Sequence, residues 1–284
     1  MPSFKQQMQQ KLHAALSPAE QEKLPAGFQR LGHIVILRLH PSLESKKQLI
    51  GEAALTCVPG AKTACNYAGK ISSEYREPVI EWIAGEHNTV VNHFEHDCVF
   101  RFDVTKLMWS QGNMNERKRM YLNVKKGEVV VDFFCGLGYW SIPIAKHASP
   151  AHVYAIDANE NAINAIQENR TLNKIPKSVL TIIHGKCEEV APTLGKIADR
   201  VIMGYLPAPR FALPSAMHVL KDQGGIIHYE GMCPQGEYET LVQEVRDVAT
   251  QYGKQVELVH AQEVKSMAPR KYHYTLDLKV TPIA

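Results

Sequence analysis

A glycine-rich turn between a buried strand and a helix is the segment of this sequence best suited to hold a nucleotide-type cofactor. Residues 129–141 read V-V-V-D-F-F-C-G-L-G-Y-W-S. Gly136 and Gly138 would let the backbone approach a ligand closely and offer its N–H groups with no side chain in the way. Asp132 precedes the turn and Asp157 ends the next apolar strand. A carboxylate at that second strand end can accept both hydroxyls of a ribose.

Two classes of cofactor fit this turn. Gly136, Gly138 and Ser141 nearly satisfy the dinucleotide fingerprint, which requires a third small residue three positions after the second glycine. Asp132 favours the other class, because a carboxylate there would repel a pyrophosphate and suits a cofactor with a cationic amino-acid end. In a third reading, Asp132 and Asp157 merely cap loops. We predict S-adenosylmethionine as the cofactor.

The loop at residues 203–207, M-G-Y-L-P, is the candidate for contact with the acceptor. Many S-adenosylmethionine-dependent enzymes that modify amino groups of bases have Asn or Asp there, followed by two prolines and an aromatic residue. The Asn or Asp side chain then holds the amine while the ring stacks on the base. Gly204 stands where that side chain would be. Tyr205 and Trp140 are candidate stacking groups, and for Trp140 we favour helix-to-sheet packing instead.

Strands and helices alternate from Gly127 onward, which predicts a doubly wound parallel sheet. The last two strands are joined only by a loop, so we expect an antiparallel hairpin, as in class I methyltransferase-like (Rossmann-like) α/β folds. In open sheets of this kind the ligand lies outside the carboxyl ends of the strands. The predicted strands are 129–134, 152–157, 179–184, 199–203, 225–230, 254–260 and 273–280, and the predicted helices are 139–147, 159–173, 212–220 and 236–252.

Residues before this domain predict a small α+β module rather than a linker. The pattern indicates a polar helix at 4–16, a strand at 33–39, a helix ending near Thr56, and four short strands at 64–67, 79–83, 89–93 and 99–102. We therefore predict three parts: an amino-terminal module (1–101), a bridging segment with a helix (102–126), and a cofactor-binding catalytic domain (127–284).

The composition is that of a globular protein of one large or two modest cores. The chain has 284 residues and a formal charge of +3, which is too small to establish a polyanionic partner. No secretory signal and no apolar run of membrane-spanning length is present. The six scattered cysteines predict reduced thiols in the cytoplasm, and the histidines lack the spacing of metal ligands, so we expect no metal. The oligomeric state is not determined, and we expect a monomer.

These motifs in combination resemble a known family. The segment 102–120, the turn V-D-x-F-x-G-x-G-Y-x-S with its following P-I-A-K-H, the loop M-G-Y-L-P and the motif S-S-E-Y-R-E-P at 72–78 look like the archaeal-type aminocarboxypropyltransferases of wybutosine synthesis. These are close relatives of the tRNA guanosine N1-methyltransferases. The resemblance covers roughly residues 24–284. The methyltransferase relatives have Asn in the fourth-strand loop, whereas Gly204 matches the aminocarboxypropyl branch.

The resemblance implies transfer of the 3-amino-3-carboxypropyl group of S-adenosylmethionine to a ring carbon of a tricyclic guanosine in tRNA-Phe, next to the anticodon. It implies that Ser110 and Arg117 contact the cofactor and that Asp157 holds the ribose. The loop that contacts adenine through an acidic residue in the family reads Gly185-Lys186-Cys187 here. Lysine cannot accept the amino proton of adenine, so backbone groups or Glu188 would have to replace it.

Candidate residues for the remaining roles follow from position and charge. Arg117, Gly204, Tyr205 and Pro207 are the candidate catalytic set, with Arg117 pairing with the carboxylate of the transferred group or with a neighbouring phosphate. His228 either orients the acceptor base or is a core-edge histidine. The candidate contacts with tRNA phosphates, in the anticodon stem-loop, are Lys106, Lys118, Arg119, Arg210, Arg270 and Lys271.

Three other functions were weighed against this one. A tRNA guanosine N1-methyltransferase would need another general base, because Gly204 cannot serve. A non-enzymatic RNA-binding protein on an inactive methyltransferase scaffold draws its support from Lys186. A metal enzyme would draw on His87, His93 and His96, for which a surface histidine is the better reading.

Overall fold

The computed structural model describes residues 2–69 and 77–283, and the chain divides into two compact units. The first unit contains residues 1–94 and 100–109, and the second contains residues 95–99 and 110–284. The bridging segment predicted at 102–126 is thus shared between them. Most of the motif at 72–78 lies outside the described residues.

The first unit is an α+β module, as predicted. Its larger sheet has the order β1-β2-β3-β4, in which β2 and β3 are parallel and are connected through α3. A helical crossover is what a parallel pair requires, because a tight turn can join only antiparallel strands. The strands β5 and β6 form a separate two-stranded sheet. The elements are α1 (Phe4–Leu12), α2 (Pro18–Gln21), β1 (Gln29–Leu31), β2 (Ile34–Leu37), α3 (Lys47–Cys57), β3 (Thr63–Tyr67), β4 (Ile80–Gly85), β5 (Val90–Glu95) and β6 (Cys98–Asp103).

The second unit alternates strands with helices around one sheet. No helix in the described part of the chain is long and apolar enough to cross a bilayer. The elements are α4 (Met114–Asn123), β7 (Val129–Asp132), α5 (Ser141–His147), β8 (His152–Asp157), α6 (Glu160–Leu172), β9 (Leu180–His184), α7 (Cys187–Leu194), β10 (Arg200–Met203), α8 (Leu213–Val219), β11 (Gly225–Cys233), α9 (Glu239–Gln251), β12 (Lys254–Ala268) and β13 (Lys271–Pro282).

The seven strands of this sheet have the order β12-β13-β11-β10-β7-β8-β9. The five strands from β9 to β11 are parallel, whereas β13 is antiparallel to both β11 and β12. The class I methyltransferase-like sheet with a terminal antiparallel hairpin is therefore confirmed. The strand order reverses between β7 and β10, which places the ligand-binding crevice of a doubly wound sheet at the carboxyl ends of these two strands.

The elements α7 and β1 were not predicted, and β12 differs most in length from its prediction. The helix α7 contains Pro192, a residue that normally argues against a helix interior. The strand β1 has only three residues. The strand β12 continues eight residues beyond the predicted end at 260, through a stretch of mixed apolar and polar residues of which none is buried. An exposed edge strand shows no alternation of apolar residues, so its length could not be inferred from hydrophobicity.

The two faces of the central strands differ in chemistry. Val201, Met203 and Tyr229 belong to the main apolar core together with residues of α8 and α9. Alternate residues of a strand point to opposite faces, so His228 and Glu230 lie on the other face, where the Trp140 ring contacts His228. The second face is therefore polar although it is buried, and it adjoins the crevice.

Candidate active site

The glycine turn after β7 is built from backbone conformations that favour glycine. Gly136 has φ 53° and Gly138 has φ 99°, both in the left-handed region. A Cβ on Gly138 would lie 2.5 Å from Cγ1 of Ile142, at the start of α5. The turn therefore brings bare backbone close to the crevice, and larger residues are excluded by both conformation and space.

Asp157, at the end of β8, ties the turn to the neighbouring strand. Its Oδ2 accepts a hydrogen bond from the Gly136 N–H at 2.7 Å, and its Oδ1 accepts one from the Asn159 N–H at 2.9 Å. Burial raises the pKa of this carboxyl, and these backbone donors work against that rise. A carboxylate can accept about four hydrogen bonds, so Asp157 retains the capacity to accept from ribose hydroxyls beside the bare turn.

Asp132, at the end of β7, is fully buried. Its Oδ2 accepts a hydrogen bond from the Ser141 hydroxyl at 2.6 Å, which joins the strand to the first residue of α5. Burial raises the pKa of Asp132 to about 7 against the opposing effect of that hydrogen bond. Asp132 therefore organises the turn from inside, and a direct contact with the cofactor stays a prediction.

The loop after β9 lies beside Asp157, because the parallel strands β8 and β9 end at the same edge of the sheet. The Gly185 N–H donates to the Asp157 carbonyl at 3.0 Å. Lys186 is exposed at the start of α7, and Cys187 is buried with its thiol donating to Glu188 at 3.0 Å. Burial raises the pKa of the Cys187 thiol, and the hydrogen bond to the Glu188 carboxylate raises it further. Cys187 is thus an inert packing residue, while exposed Glu188 offers the acid that Lys186 does not.

Arg117 is engaged inside the second unit. Its Nε and Nη2 donate to the two oxygens of Glu95 at 2.5 and 2.9 Å, and the side chains of both residues are almost completely buried. Nη1 and Nη2 also donate to the Ser110 carbonyl, each at 3.1 Å. This geometry makes Arg117 a clamp on the Ser110 backbone. The predicted pairing of Arg117 with a cofactor carboxylate would require Glu95 to share the guanidinium.

The loop after β10 places Gly204 directly against an indole ring. A Cβ on Gly204 would lie 2.7 Å from Nε1 of Trp140 and 3.7 Å from Cδ of Glu230. Trp140 is buried, in agreement with the packing role favoured for it. The ring therefore occupies the space into which a longer side chain at position 204 would project.

Tyr205 belongs to an aromatic cluster at the mouth of the crevice. Its ring centroid lies 5.0 Å from that of Phe134 and 5.9 Å from that of Phe211. Phe211 is 53% exposed. Phe211 was not predicted as a site residue, because its place beside the loop depends on the short 3₁₀ turn Arg210–Ala212. The aromatic cluster (Phe134, Tyr205 and Phe211) is a surface on which a nucleobase could stack. Pro207 follows in the same loop and is exposed.

The predicted phosphate contacts separate into two groups. The prediction of Arg119 as an exposed cation is wrong. Its guanidinium donates to Glu116 and Asp277, each at 2.5 Å, in a largely buried network. Its charge is therefore neutralised within the protein. The other candidates are exposed, Lys106 in the first unit and Lys118, Arg210, Arg270 and Lys271 in the second.

Of a buried polar group on the crevice side of the sheet, the sequence-based prediction named only His228. We call Glu230, His228, His273 and Asp277 the acid–histidine cluster; all four are at most 6% exposed. His273 and Asp277 alternate with apolar residues along β13, a pattern typical of a strand with one solvated face. The fold covers that face, since Arg119 of α4 reaches Asp277. The sequence signal that could have revealed the cluster was its second histidine, His273.

The sequence matches a family model described as the TRM5/TYW2 methyltransferase domain over residues 90–259. The chain belongs to this family. A second model, the TYW2 N-terminal domain, matches residues 8–89, which lie in the first unit. The resemblance inferred from the motifs is confirmed.

Members of both branches are similar to the chain. It is 32% identical to the tRNA(Phe) (4-demethylwyosine(37)-C(7)) aminocarboxypropyltransferase of Methanocaldococcus jannaschii, over 89% of this chain and 97% of that protein. It is 33% identical to the tRNA (guanine(37)-N(1))-methyltransferase Trm5b of Pyrococcus abyssi, over 91% of this chain and 76% of that protein. The crystal structure of M. jannaschii TYW2 in complex with AdoMet superposes with a TM-score of 0.72 at 31% identity, covering 90% of this chain and 100% of that one.

Proposed function

We propose that this protein transfers the 3-amino-3-carboxypropyl group of S-adenosylmethionine to a ring carbon of a 4-demethylwyosine-type guanosine beside the anticodon of tRNA-Phe. The bond between the sulfonium sulfur and the arm breaks, a bond from the arm to the ring carbon forms, and the other products are methylthioadenosine and the proton lost from that carbon. The match of residues 8–89 to the TYW2 N-terminal domain and the activity named for the M. jannaschii relative support this reaction, and the TRM5/TYW2 domain matched by residues 90–259 is compatible with it. A tRNA-acting enzyme of this kind fits a cytoplasmic location, and we propose that it works as a monomer.

The observation that carries the proposal is the packing at Gly204. The methyltransferase relatives were expected to have Asn in this loop. In this structure a Cβ at position 204 would lie 2.7 Å from the Trp140 Nε1 atom, so an Asn side chain could enter only if the indole moved. The chain therefore lacks both the amide group and the space for it, which favours aminocarboxypropyl transfer over methyl transfer.

The residues at the crevice fit S-adenosylmethionine. The bare turn at Gly136 and Gly138 admits a ligand close to the backbone, and Asp157 retains free acceptor capacity beside it. When bound, the cofactor supplies a sulfonium with three carbons bonded to sulfur, of which the one in line with the nucleophile is transferred. The task of the protein is therefore to orient the cofactor and to exclude water, which requires neither a metal nor a new acid.

We further propose that the aromatic cluster stacks on the acceptor base and that the exposed cations hold the RNA backbone. Arg210 directly precedes Phe211, so a phosphate contact and a stacking ring are neighbours in one turn. Lys118, Arg270 and Lys271 are exposed elsewhere in the second unit. Phosphate contacts of this kind position an RNA, and stacking holds a base that has been turned out of its strand.

The test follows the label of the cofactor into the products. The protein is incubated with tRNA-Phe carrying the tricyclic precursor and with S-adenosylmethionine labelled either on the methyl group or on the aminocarboxypropyl carbons. We expect the second label in the tRNA and the first label on methylthioadenosine, with the modified nucleoside identified by mass spectrometry. Methyl label in the tRNA would show a methyltransferase and would overturn the proposal.

A further inference from the structure

The acid–histidine cluster contains hydrogen-bonding groups that the protein itself leaves unused. Asp277 accepts from Arg119 Nη1 at 2.5 Å and lies 2.8 Å from Nδ1 of His228. Burial opposes ionisation of Asp277, but its contacts with His228 and Arg119 outweigh burial and hold its pKa below the ordinary value. Asp277 is therefore a satisfied anion at one end of the cluster.

Glu230 is different. Its Oε2 lies 3.2 Å from Nε2 of His273 and its Oε1 lies 4.0 Å from Nε2 of His228, yet neither contact has hydrogen-bond geometry. Within the described residues, Oε1 of Glu230, Nε2 of His228 and both ring nitrogens of His273 have no hydrogen-bond partner. Leaving a buried polar group unsatisfied is costly, and more so for a charged one. Such a group is maintained where a ligand completes it.

Glu230 lies under the loop that distinguishes the two branches of the family. Its carboxyl carbon is 3.7 Å from the position that a Cβ of Gly204 would occupy. A side chain at position 204 would therefore come between this carboxylate and the crevice. Gly204 itself has no side chain that could cover the Glu230 carboxylate.

The charges of the cluster favour a cationic ligand. The cluster and the ion pairs attached to it contain three carboxylates, Glu116, Glu230 and Asp277, and one guanidinium, that of Arg119, which pairs with Glu116 and Asp277. Burial works against ionisation of Glu116, but its hydrogen bond from Arg119 prevails and keeps its pKa below the ordinary value. The described residues include no group of three or more side chains arranged to hold a metal ion. RNA is a polyanion, so the cations that the proposed reaction brings to this crevice are the sulfonium and the ammonium of S-adenosylmethionine. Only the ammonium, at the end of the aminocarboxypropyl arm, has N–H groups to donate to an unsatisfied acceptor.

We propose that Glu230, flanked by His228 and His273, accepts the ammonium group of the aminocarboxypropyl arm of S-adenosylmethionine. The inference depends on the proposed function and deepens it by assigning the binding site of the transferred group. An arm held by Glu230 reaches beneath Gly204, towards the loop where the acceptor is expected. The same contact explains why position 204 has no side chain and why Arg117 can remain committed to Glu95.

The test compares ligands with and without the arm. Isothermal titration calorimetry measures the affinities of the parent protein and of Glu230→Gln for S-adenosylhomocysteine, which has the arm, and for methylthioadenosine, which lacks it. We expect Glu230→Gln to weaken S-adenosylhomocysteine binding about 10- to 100-fold, the range for a hydrogen bond to a charged group, and to leave methylthioadenosine binding within about twofold. The matched control is Glu244→Gln, on the opposite face of the sheet, where Glu244 accepts from Tyr229 at 2.8 Å.

Equal weakening of both ligands, or of neither, would overturn the assignment of Glu230 and leave the proposed function intact. Failure of the parent protein to bind either ligand would instead contradict the proposed function. A second measurement avoids mutation altogether: the parent protein is titrated with the deamino analogue of S-adenosylhomocysteine, which keeps the carboxylate and lacks the ammonium. We expect at least about tenfold weaker binding of the analogue, and equal affinity would refute the ammonium contact.

Discussion

Removing the Glu95 carboxylate should strongly destabilise the second unit, because it takes away the anion that pairs with the buried Arg117 guanidinium. The side chain of Arg117 is 1% exposed and that of Glu95 is 4% exposed, and two hydrogen bonds of 2.5 and 2.9 Å join them. Breaking a buried ion pair by removing one partner costs about 3–5 kcal/mol. Glu95→Gln keeps one acceptor oxygen, so we expect about 3 kcal/mol, the lower end of that range.

The assay is urea-induced unfolding followed by circular dichroism, with the two units fitted as separate transitions if they do not coincide. The expected loss corresponds to a fall of about 6–12 °C in melting temperature. The matched control is Glu239→Gln in the same unit, because Glu239 pairs with Arg246 at the surface. Exposed ion pairs contribute little, so this variant should unfold like the parent.

The double variant Glu95→Leu/Arg117→Met tests the electrostatic explanation directly. It removes both charges and keeps apolar volume, and such replacements of buried pairs are often neutral or stabilising. We expect it to recover most of the stability lost in Glu95→Gln. A loss below about 1 kcal/mol in Glu95→Gln, within the range of a surface pair, would refute the reasoning, as would a double variant less stable than the single one.

Two further predictions concern the glycine turn. Gly138→Ala should weaken cofactor binding and lower the free energy of unfolding by about 1–3 kcal/mol, because φ 99° and the 2.5 Å approach to Ile142 both oppose a side chain. The control is Gly127→Ala, at φ 85° with no atom within 4 Å of the added Cβ. It should lose only the stability due to backbone strain and should bind the cofactor normally in calorimetry. Burial raises the pKa of Asp132 from 3.8 to about 7, so the folded state binds the extra proton and the free energy of unfolding should fall as the pH rises from about 4 to about 7. Asp132→Asn should remove this pH dependence. If the free energy of unfolding of parent and variant changed equally between pH 4 and pH 7, the assignment would be contradicted.

The sequence by itself determined the cofactor turn and the fold class. The two glycines and the first carboxylate lie within seven residues of one another, at 132–138, and the conformation of the turn follows from local chemistry. The alternation of apolar strands with helices determined the doubly wound sheet in the same way. Phe211 and the length of β12 could not be predicted, because exposed residues leave no periodic signal.

Tertiary structure decided which charged residues are exposed and which are committed to ion pairs inside the protein. Arg117 and Arg119 are two residues apart on α4 and look like a surface charge run, yet both are committed to carboxylates that are distant in sequence, Glu95 and Asp277. Likewise, His273 and Asp277 of β13 look solvated until α4 covers them. Burial and ion pairing depend on which segments the fold brings together, so they cannot be inferred from the local sequence around each residue. The local pattern therefore determined the glycine turn and its flanking carboxylates, and only the contact of Arg119 on α4 with Asp277 on β13 decided which carboxylate of the sheet pairs with an arginine.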